Sequence, residues 1–303
     1  MTAADDKTLC VFGLGSMGFG IATSLVKAGC RTAGFDLDKA READLQSQGG
    51  LTLARDEALA VADIVIIVVV NAAQTEALLF GEGGISGHMK PGAVVISCAT
   101  VPPEFARSCE TRLDALGLLY LDAPISGGSV KAAQGALTMM TSGSQAAYTA
   151  SQPALDAMAT KVFRLGDQAG PGSAVKIVNQ MLAGIHIAAA AEAITFGISQ
   201  GIAPASTVEV ISECAGSSWM FENRGPHIAD GDYTPHSAVE IFVKDLGIVS
   251  DVARTARFSS PLTAAALQQF LAAAGMGYGR EDDAAVAKVY AKNAGLKLPG
   301  DSG

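Results

Sequence analysis

The chain has 303 residues, 49% of them hydrophobic and 17% charged, and a formal net charge of −9. That length allows two domains with sizeable cores, and that composition excludes a disordered chain. An acidic balance with no basic cluster excludes the usual electrostatic footprint of nucleic-acid partners and of anionic membrane surfaces.

Cysteine and histidine usage narrows the class further. Cys10, Cys30, Cys98, Cys109 and Cys214 are scattered with no CxxC pair, and His88, His186, His227 and His236 lack ligand spacing. No disulfide framework and no metal site is expected, and the thiols read as reduced, in a cytoplasmic protein. The opening Met-Thr-Ala-Ala-Asp-Asp is unlike a signal peptide.

Residues 8–12 are a short apolar run leading into Gly13-Leu14-Gly15-Ser16-Met17-Gly18, and an amphipathic segment from Phe19 to Ala28 follows and ends at Gly29. A second strand, Thr32–Phe35, ends in Asp36, 18 residues past the last glycine of the turn. Strand, Gly-rich turn, helix, strand and acid, in that order, is the context in which GxGxxG binds a dinucleotide. Gly13 permits the tight turn, Gly15 lets a pyrophosphate approach, and Gly18 lets the helix pack close to the strand, with Leu14, Ser16 and Met17 completing the loop. The helix N-terminus offers amide donors and a favourable dipole to phosphates, a local remedy for the unfavourable net charge. Asp36 is expected to hydrogen-bond the adenosine ribose and repel a 2'-phosphate. NAD is therefore the expected cofactor, with NADP the weaker alternative because Arg41 lies close by in sequence.

The alternation continues through Leu51–Leu53, an Ala-rich helix at Asp56–Val61, and the apolar run Ile64–Val70, which suits a strand buried on both faces of a parallel sheet. Further strands are expected at Ala93–Ser97 and Leu118–Asp122. Ligands of doubly wound sheets bind outside the carboxyl ends of the strands, which puts Asn71, Thr100 and the loop after Asp122 at the cofactor edge. Asn71 and Thr100 also read as turn residues or helix caps. Ser126-Gly127-Gly128 offers a hydroxyl and unencumbered backbone N–H groups, either a nest for a carboxylate or a flexible connection. A strand at Leu137–Thr141, a helix at Gln145–Ala159 and a strand at Lys161–Leu165 follow, and Gly166–Gly172 marks a domain boundary.

After Gly170-Pro171-Gly172, a stretch rich in Ala, Ile and Leu predicts a long, largely buried helix from Ser173 to Gln200. It is long enough to raise the question of a membrane span, but Lys176, Asn179, His186 and Glu192 along it favour a core helix, and no membrane is expected. Lys176, Asn179 and Gln180 share one face by their i, i+3, i+4 spacing. An amine held in a poorly solvated cleft exchanges its proton nearer neutral pH; the bland alternative is a lysine that snorkels to water. Helices are expected at Ser206–Cys214, 238–257, Pro261–Ala274 and Asp282–Ala291. Between them, Ala215–Phe221 reads as a turn and the segment to Pro235, with Asn223, Arg224 and His227, as a loop. The tail from Lys297 is expected to fray. The fold class is an α/β Rossmann-type doubly wound sheet, residues 1–168, followed by an all-α domain, residues 169–303, joined through the long central helix. The apolar helical half implies a homodimer or homotetramer.

Four stretches, in this order, resemble the β-hydroxyacid dehydrogenase family, which includes 3-hydroxyisobutyrate dehydrogenases and tartronate semialdehyde reductases. They are Gly13–Gly18, Asp122-Ala-Pro-Ile-Ser-Gly-Gly128, Gly170-Pro-Gly-Ser-Ala-Val-Lys-Ile-Val-Asn179 and Lys244-Asp245-Leu246. The resemblance covers nearly the whole chain. It implies that Lys176 is the catalytic lysine, that Ser126, Gly127 and Gly128 hold a substrate carboxylate, and that Asn179, with Gln180 beside it, orients the substrate. It also implies that Lys244, supported by Asp245, contacts the cofactor, and that Asn71 and Thr100 line the nicotinamide side. Two departures stand near these positions: Asn179-Gln180 where the family usually has Asn-Asn, and Ser97-Cys98-Ala99 where members commonly carry an acid and a Ser. Within the family, Val69–Gln74, Ser126–Gly135 and Gly216–Arg224 are most similar to the L-threonate dehydrogenases. That similarity implies oxidation of the C2 hydroxyl of a four-carbon sugar acid to 2-oxo-tetronate. Ser217, Ser218, Asn223 and Gln180 then serve a polyhydroxy acid, or else are caps and turns. The alternatives are 3-hydroxyisobutyrate or tartronate semialdehyde chemistry and, in another class, an NAD-dependent metabolite-sensing module without turnover.

Overall fold

The computed structural model describes residues 7–300. The opening Met1–Asp6 and the last tail residues 301–303 lie outside the described residues. The chain divides into two compact units, Met1–Lys176 and Ile177–Gly303. The division falls inside the long helix, whose first turn is hydrogen-bonded to residues of the first unit.

The first unit alternates strand and helix: β1 (Thr8–Phe12), α1 (Ser16–Lys27), β2 (Arg31–Phe35), α2 (Lys39–Ser47), α3 (Arg55–Val61), β3 (Ile64–Ile67), α4 (Ala72–Phe80), β4 (Val94–Ser97), α5 (Pro103–Asp114) and β5 (Leu119–Asp122). The five strands pair in parallel in the order β2-β1-β3-β4-β5. Their side chains alternate between two apolar clusters. Leu9, Val11, Ile64, Ile66, Val94 and Ile96 lie in one, and Cys10, Phe12, Val65, Ile67 and Val95 in the other. Burial on both faces explains why these strands read as continuous apolar runs. The run Ile64–Val70 pairs only as far as Ile67, opposite Phe12, because β1 ends there. The chain steps from β1 to β2 on one side and crosses back to β3 on the other. The carboxyl ends of β1 and β3 therefore flank the switch point at which doubly wound sheets bind their ligands.

Next come β6 (Ile125–Ser126), α6 (Gly128–Ala133), β7 (Leu137–Thr141), α7 (Gln145–Met158) and β8 (Ala159–Arg164). The expected strands at Leu137–Thr141 and after Ala159 do not extend the five-stranded sheet. They form a second sheet with β6, in the order β6-β7-β8. The long helix, α8, runs from Pro171 to Ser199. By length and composition it is apolar enough to cross a membrane. In the second unit, however, Ile187, Ala188, Ala190, Ala191 and Ile194 are core residues.

The second unit holds the rest of α8 and, among the described residues, the α-helices α9 (Pro204–Ser212), α10 (Trp219–Asp230), α11 (Val239–Thr255), α12 (Pro261–Ala273) and α13 (Val286–Ala294). Phe242 and Phe270 stack within its core, their ring centroids 5.2 Å apart. Helix α10 corrects the expected loop after Phe221. Ser218 caps it by accepting from Phe221 N at 3.1 Å, and Gly231, at φ +67°, ends it. Pro226 inside it costs one backbone hydrogen bond without stopping the helix, which is why Gly225-Pro226 reads as a loop from sequence. The tail is also more ordered than expected up to Gly300, since Leu298 is buried in this core.

Helix α10 is fastened by a buried ion pair. Arg224 Nε donates to Asp283 Oδ1 at 2.5 Å, and Asp282, equally buried, faces both Arg224 and His227. Burial pushes the Asp283 carboxyl up to about 6 against the pull of Arg224. Taking away the cation strands two buried acids, so Arg224→Ala should destabilise the protein by about 3–5 kcal/mol. A urea titration followed by circular dichroism measures this; an unchanged midpoint would show the pair to be dispensable.

Candidate active site

The glycine turn follows β1 directly. Gly13 sits at φ +90°, and a Cβ there would lie 2.4 Å from the Val68 carbonyl oxygen. A Cβ on Gly18 would lie 1.8 Å from the Gly13 carbonyl oxygen, so α1 packs on the turn only because residue 18 has no side chain. Gly15 differs: a Cβ there would meet nothing within 4 Å. Its bare backbone faces open space, which is what a pyrophosphate needs. The first turn of α1 has no side-chain cap and no acid, so the N–H groups around Ser16 and Met17 remain available to an anion.

Asp36, just past β2, is held in place on both carboxylate oxygens. Oδ2 accepts from Leu14 N at 2.5 Å and Oδ1 from Asp38 N at 2.9 Å. The acid is thus tied to the glycine turn itself. Asn71 is the N-cap of α4, its Oδ1 accepting from Gln74 N at 2.9 Å, while Val70 N donates to Gln74 Oε1 at 2.8 Å. The cap reading of Asn71 holds, and the cap stands just beyond the carboxyl end of β3. Thr100 follows β4 in the same way, half-buried.

The segment after β5 carries the next group of residues. Ser126 ends β6, half-buried, and α6 begins at Gly128. Gly127 and Gly128 adopt φ +139° and +74°, which side chains rarely allow, and a Cβ on Gly128 would meet nothing within 4 Å. Lys176, in α8, is buried at 8% exposure, and its Nζ donates to the Ile125 carbonyl oxygen at 2.9 Å. The lysine is therefore held beside the Ser-Gly-Gly loop and does not snorkel to water. Burial and the nearby Asp122 push the Cys98 thiol up to about 12, which leaves it inert as a nucleophile.

In the second unit, Gln180 is buried and both ends of its amide are engaged. Nε2 donates to Asp245 Oδ2 at 2.5 Å and Oε1 accepts from Asn179 Nδ2 at 2.8 Å. Asp245 also pairs with Lys244 at 2.7 Å. Asn179 and Lys244 are thus joined through Gln180 and Asp245. Ser217 and Ser218 serve locally, the first donating to Glu222 Oε1 at 2.8 Å and the second capping α10. Sequence reading assigned no role to Asp122, Ser142 or Ser173, which this structure brings together at the start of α8; the signal was an acid opening the Asp122–Gly128 stretch and a serine closing Gly170–Ser173.

The family pattern described as the NAD binding domain of 6-phosphogluconate dehydrogenase matches residues 8–166. That described as NAD-binding of NADP-dependent 3-hydroxyisobutyrate dehydrogenase matches residues 170–290. The chain belongs to the β-hydroxyacid dehydrogenase family. It is 52% identical to an L-threonate dehydrogenase of Cupriavidus necator over 97% of this chain and 98% of that one. To the L-threonate dehydrogenase of Escherichia coli K12 it is 48% identical over 96% of each. A solved structure from Salmonella typhimurium, described as 3-hydroxyisobutyrate dehydrogenase, is 49% identical, with a TM-score of 0.88 over 94% of this chain and all of that one.

As an NAD-dependent hydroxyacid dehydrogenase of this family, the chain fits its cofactor by its own geometry: the open backbone at Gly15, the uncapped start of α1 and the oriented carboxylate of Asp36. Hydrogen bonds to a charged group are worth about 1.5–3 kcal/mol each. Asp36→Ala should therefore weaken NAD by about ten- to a hundredfold and narrow the gap to NADP. Titrating the two reduced cofactors by fluorescence measures both; an unchanged NADH affinity would remove Asp36 from the ribose site.

Proposed function

We propose that this enzyme oxidises L-threonate at its C2 hydroxyl to 2-oxo-tetronate (2-dehydro-L-erythronate), with NAD rather than NADP as its preferred cofactor. The observation that carries the reaction is Lys176, a buried amine 2.9 Å from the Ile125 carbonyl oxygen and beside Ser126-Gly127-Gly128. The substrate assignment is supported by relatives named L-threonate dehydrogenase at 45% to 52% identity.

In this reading the substrate carboxylate docks on the Ser126 hydroxyl and the amides of Gly127 and Gly128, whose backbone needs no anion from the protein. Lys176 in its neutral form takes the proton of the C2 hydroxyl. One N–H stays on the Ile125 carbonyl, which restricts where the amine sits. The bound nicotinamide supplies the acceptor for the hydride that leaves C2. As that hydride and the hydroxyl proton depart, the C2–O bond becomes a carbonyl; in the reverse direction the ammonium form of Lys176 returns the proton. Asn179 orients a substrate hydroxyl, Gln180 supports it at the substrate end, and Lys244 contacts the cofactor with Asp245 behind it. Asn71 and Thr100 line the nicotinamide side. Proton transfer by a positioned side chain contributes about 10²- to 10⁴-fold.

A second reading, 3-hydroxyisobutyrate oxidation, is favoured by the description of the Salmonella typhimurium structure. Assembly as a homodimer or homotetramer is supported by apolar side chains left exposed in the helical unit, among them Leu182, Phe196, Ile202 and Val210. A cytoplasmic location is supported by all five cysteines being free.

NADH production at mildly alkaline pH, with L-threonate, D-threonate, D-erythronate, 3-hydroxyisobutyrate and glycerate in parallel, tests the substrate. L-threonate should be turned over best; activity on 3-hydroxyisobutyrate alone would move the assignment to the second reading. Lys176→Ala should lower kcat by about 10²- to 10⁴-fold with little change in NADH affinity. Near-parental turnover in that variant would remove Lys176 from the chemistry. Light scattering on the eluted protein should give a mass of two or four chains, and a monomer would sink the assembly proposal.

A further inference from the structure

We infer that Asp122 is a positioning residue for Lys176: its buried carboxylate clamps the first turn of α8 and so sets where the lysine amine sits on the Ile125 carbonyl. The inference rests on the reading of Lys176 as the proton acceptor.

The start of a helix leaves its first amides without intrahelical partners, and a buried start must find them elsewhere. A short polar residue immediately ahead of the helix usually supplies one. Gln168-Ala169-Gly170 offers no such cap to α8. The partners come instead from distant positions in the chain. Gly170 N donates to Asp122 Oδ2 at 3.0 Å, Gly172 N to Ser142 Oγ at 2.9 Å, and Ser173 N to Asp122 Oδ2 at 2.8 Å. Pro171 has no N–H to satisfy, and Ala174 N already reaches the Gly170 carbonyl at 2.8 Å. Every amide of the first turn is accounted for.

The carboxylate is equally complete. Beyond those two amides it accepts from Ser173 Oγ at 2.7 Å and from Ser142 Oγ at 3.2 Å. Asp122 is 1% exposed, Ser142 0% and Ser173 1%. Burial pushes the Asp122 carboxyl above the usual carboxylate range, and its four hydrogen bonds offset that only in part. The contact is close enough to dictate sequence. A Cβ on Gly172 would lie 2.5 Å from the Met140 carbonyl oxygen and 3.0 Å from Asp122 Oδ2. An ordinary cap supplies one acceptor from the adjacent residue; this one joins the end of β5, the residue after β7 and the start of α8.

The link to chemistry is the short path from clamp to amine. Lys176 follows Ser173 by one helical turn, and Ile125, which receives its Nζ, follows Asp122 by three residues. One loop therefore grips the helix at Asp122 and receives the lysine at Ile125. If the grip loosens, helix and loop are free to slide, and the amine loses its fixed place beside Ser126. A misplacement of about 1 Å is enough to cost about 10²-fold in rate.

The test is a double-mutant cycle on the full chain, using the acid that the parent turns over, with kcat, the KM for NAD and the thermal midpoint measured for each variant. Asp122→Asn keeps the size but replaces one accepting oxygen by a donor. It should lower kcat by about 10- to 100-fold at temperatures where it is folded, with NADH affinity held within about twofold. In a Lys176→Ala background the same change should lower kcat no further than about twofold, because there is no amine left to misplace. Losses that multiply in full in the double variant, or an Asp122→Asn enzyme with parental kcat, would overturn the inference. If Asp122→Asn does not fold, Ser173→Ala removes a single hydroxyl donor; it should lower kcat by about tenfold alone and leave the Lys176→Ala background unchanged, and a parental rate would overturn the inference. A Lys176→Ala enzyme with parental kcat would instead sink the reading of Lys176 itself.

Discussion

Backbone amides that are buried at the start of a helix have to be hydrogen-bonded, and in this chain that demand falls on Asp122. Its carboxylate holds Gly170 and Ser173, Ser142 holds Gly172, and from that point α8 runs on to Ser199. The arrangement explains three features of the sequence at once. Gly172 is required because a side chain would strike Met140 and Asp122. Pro171 is tolerated because its missing N–H belongs to a position where a donor would only need another acceptor. Ser173 gives the carboxylate both an amide and a hydroxyl. The opening turn of the helix is thereby tied to the first unit.

The same economy of local donors answers the electrostatic problem posed by a net charge of −9. The glycine turn offers an anionic cofactor backbone groups rather than basic side chains. It leaves backbone bare: Gly15 opens onto space where a Cβ would meet nothing, and the start of α1 carries neither a cap nor an acid. A helix terminus and exposed amides act at short range, where they outweigh the screened field of distant carboxylates. Asp36 fits this scheme because its two oxygens are already oriented by Leu14 N and Asp38 N before any ribose arrives. A preoriented acceptor loses less entropy on binding.

Much of this was legible from the sequence, and the reasons are physical. Continuous apolar runs at Thr8–Phe12 and Ile64–Ile67 mark strands buried on both faces, and glycines 13, 15 and 18 mark a turn whose spacing follows from packing. The Rossmann-type sheet and the helical second half are therefore read from periodicity and punctuation alone. Other features depend on tertiary context. Helix α10 was hidden by Gly225-Pro226, since the signal that normally ends a helix was overridden by the buried Arg224–Asp283 pair and the Ser218 cap. The short β6, two residues long, is defined by its pairing with β7. The partnership of Asp122 with Ser173 spans 51 positions of sequence and leaves no periodic trace. The role of Lys176 rested on its place in a familiar stretch; its burial and its bond to Ile125 required the structure.

The departure from Asn-Asn at 179–180 has a consequence in the direction of hydrogen bonding. Asp245 pairs with Lys244, and a carboxylate only accepts, so the end of Gln180 that meets it must be the Nε2 donor. Gln180 Oε1 is then the end that meets Asn179, and Asn179 must offer its Nδ2. The polarity of the whole row is set by one carboxylate. A glutamine, longer than asparagine by one methylene, spans from α8 to Asp245 in α11 while still reaching its own neighbour. With one N–H committed in this way, Asn179 has its second N–H and its carbonyl oxygen for the orienting role proposed for it. A hydroxyl both donates and accepts, so either end of the Asn179 amide suits it. What the glutamine fixes is therefore the direction of the row from Asp245 through Gln180 to Asn179, and with it the way the Asn179 amide is held.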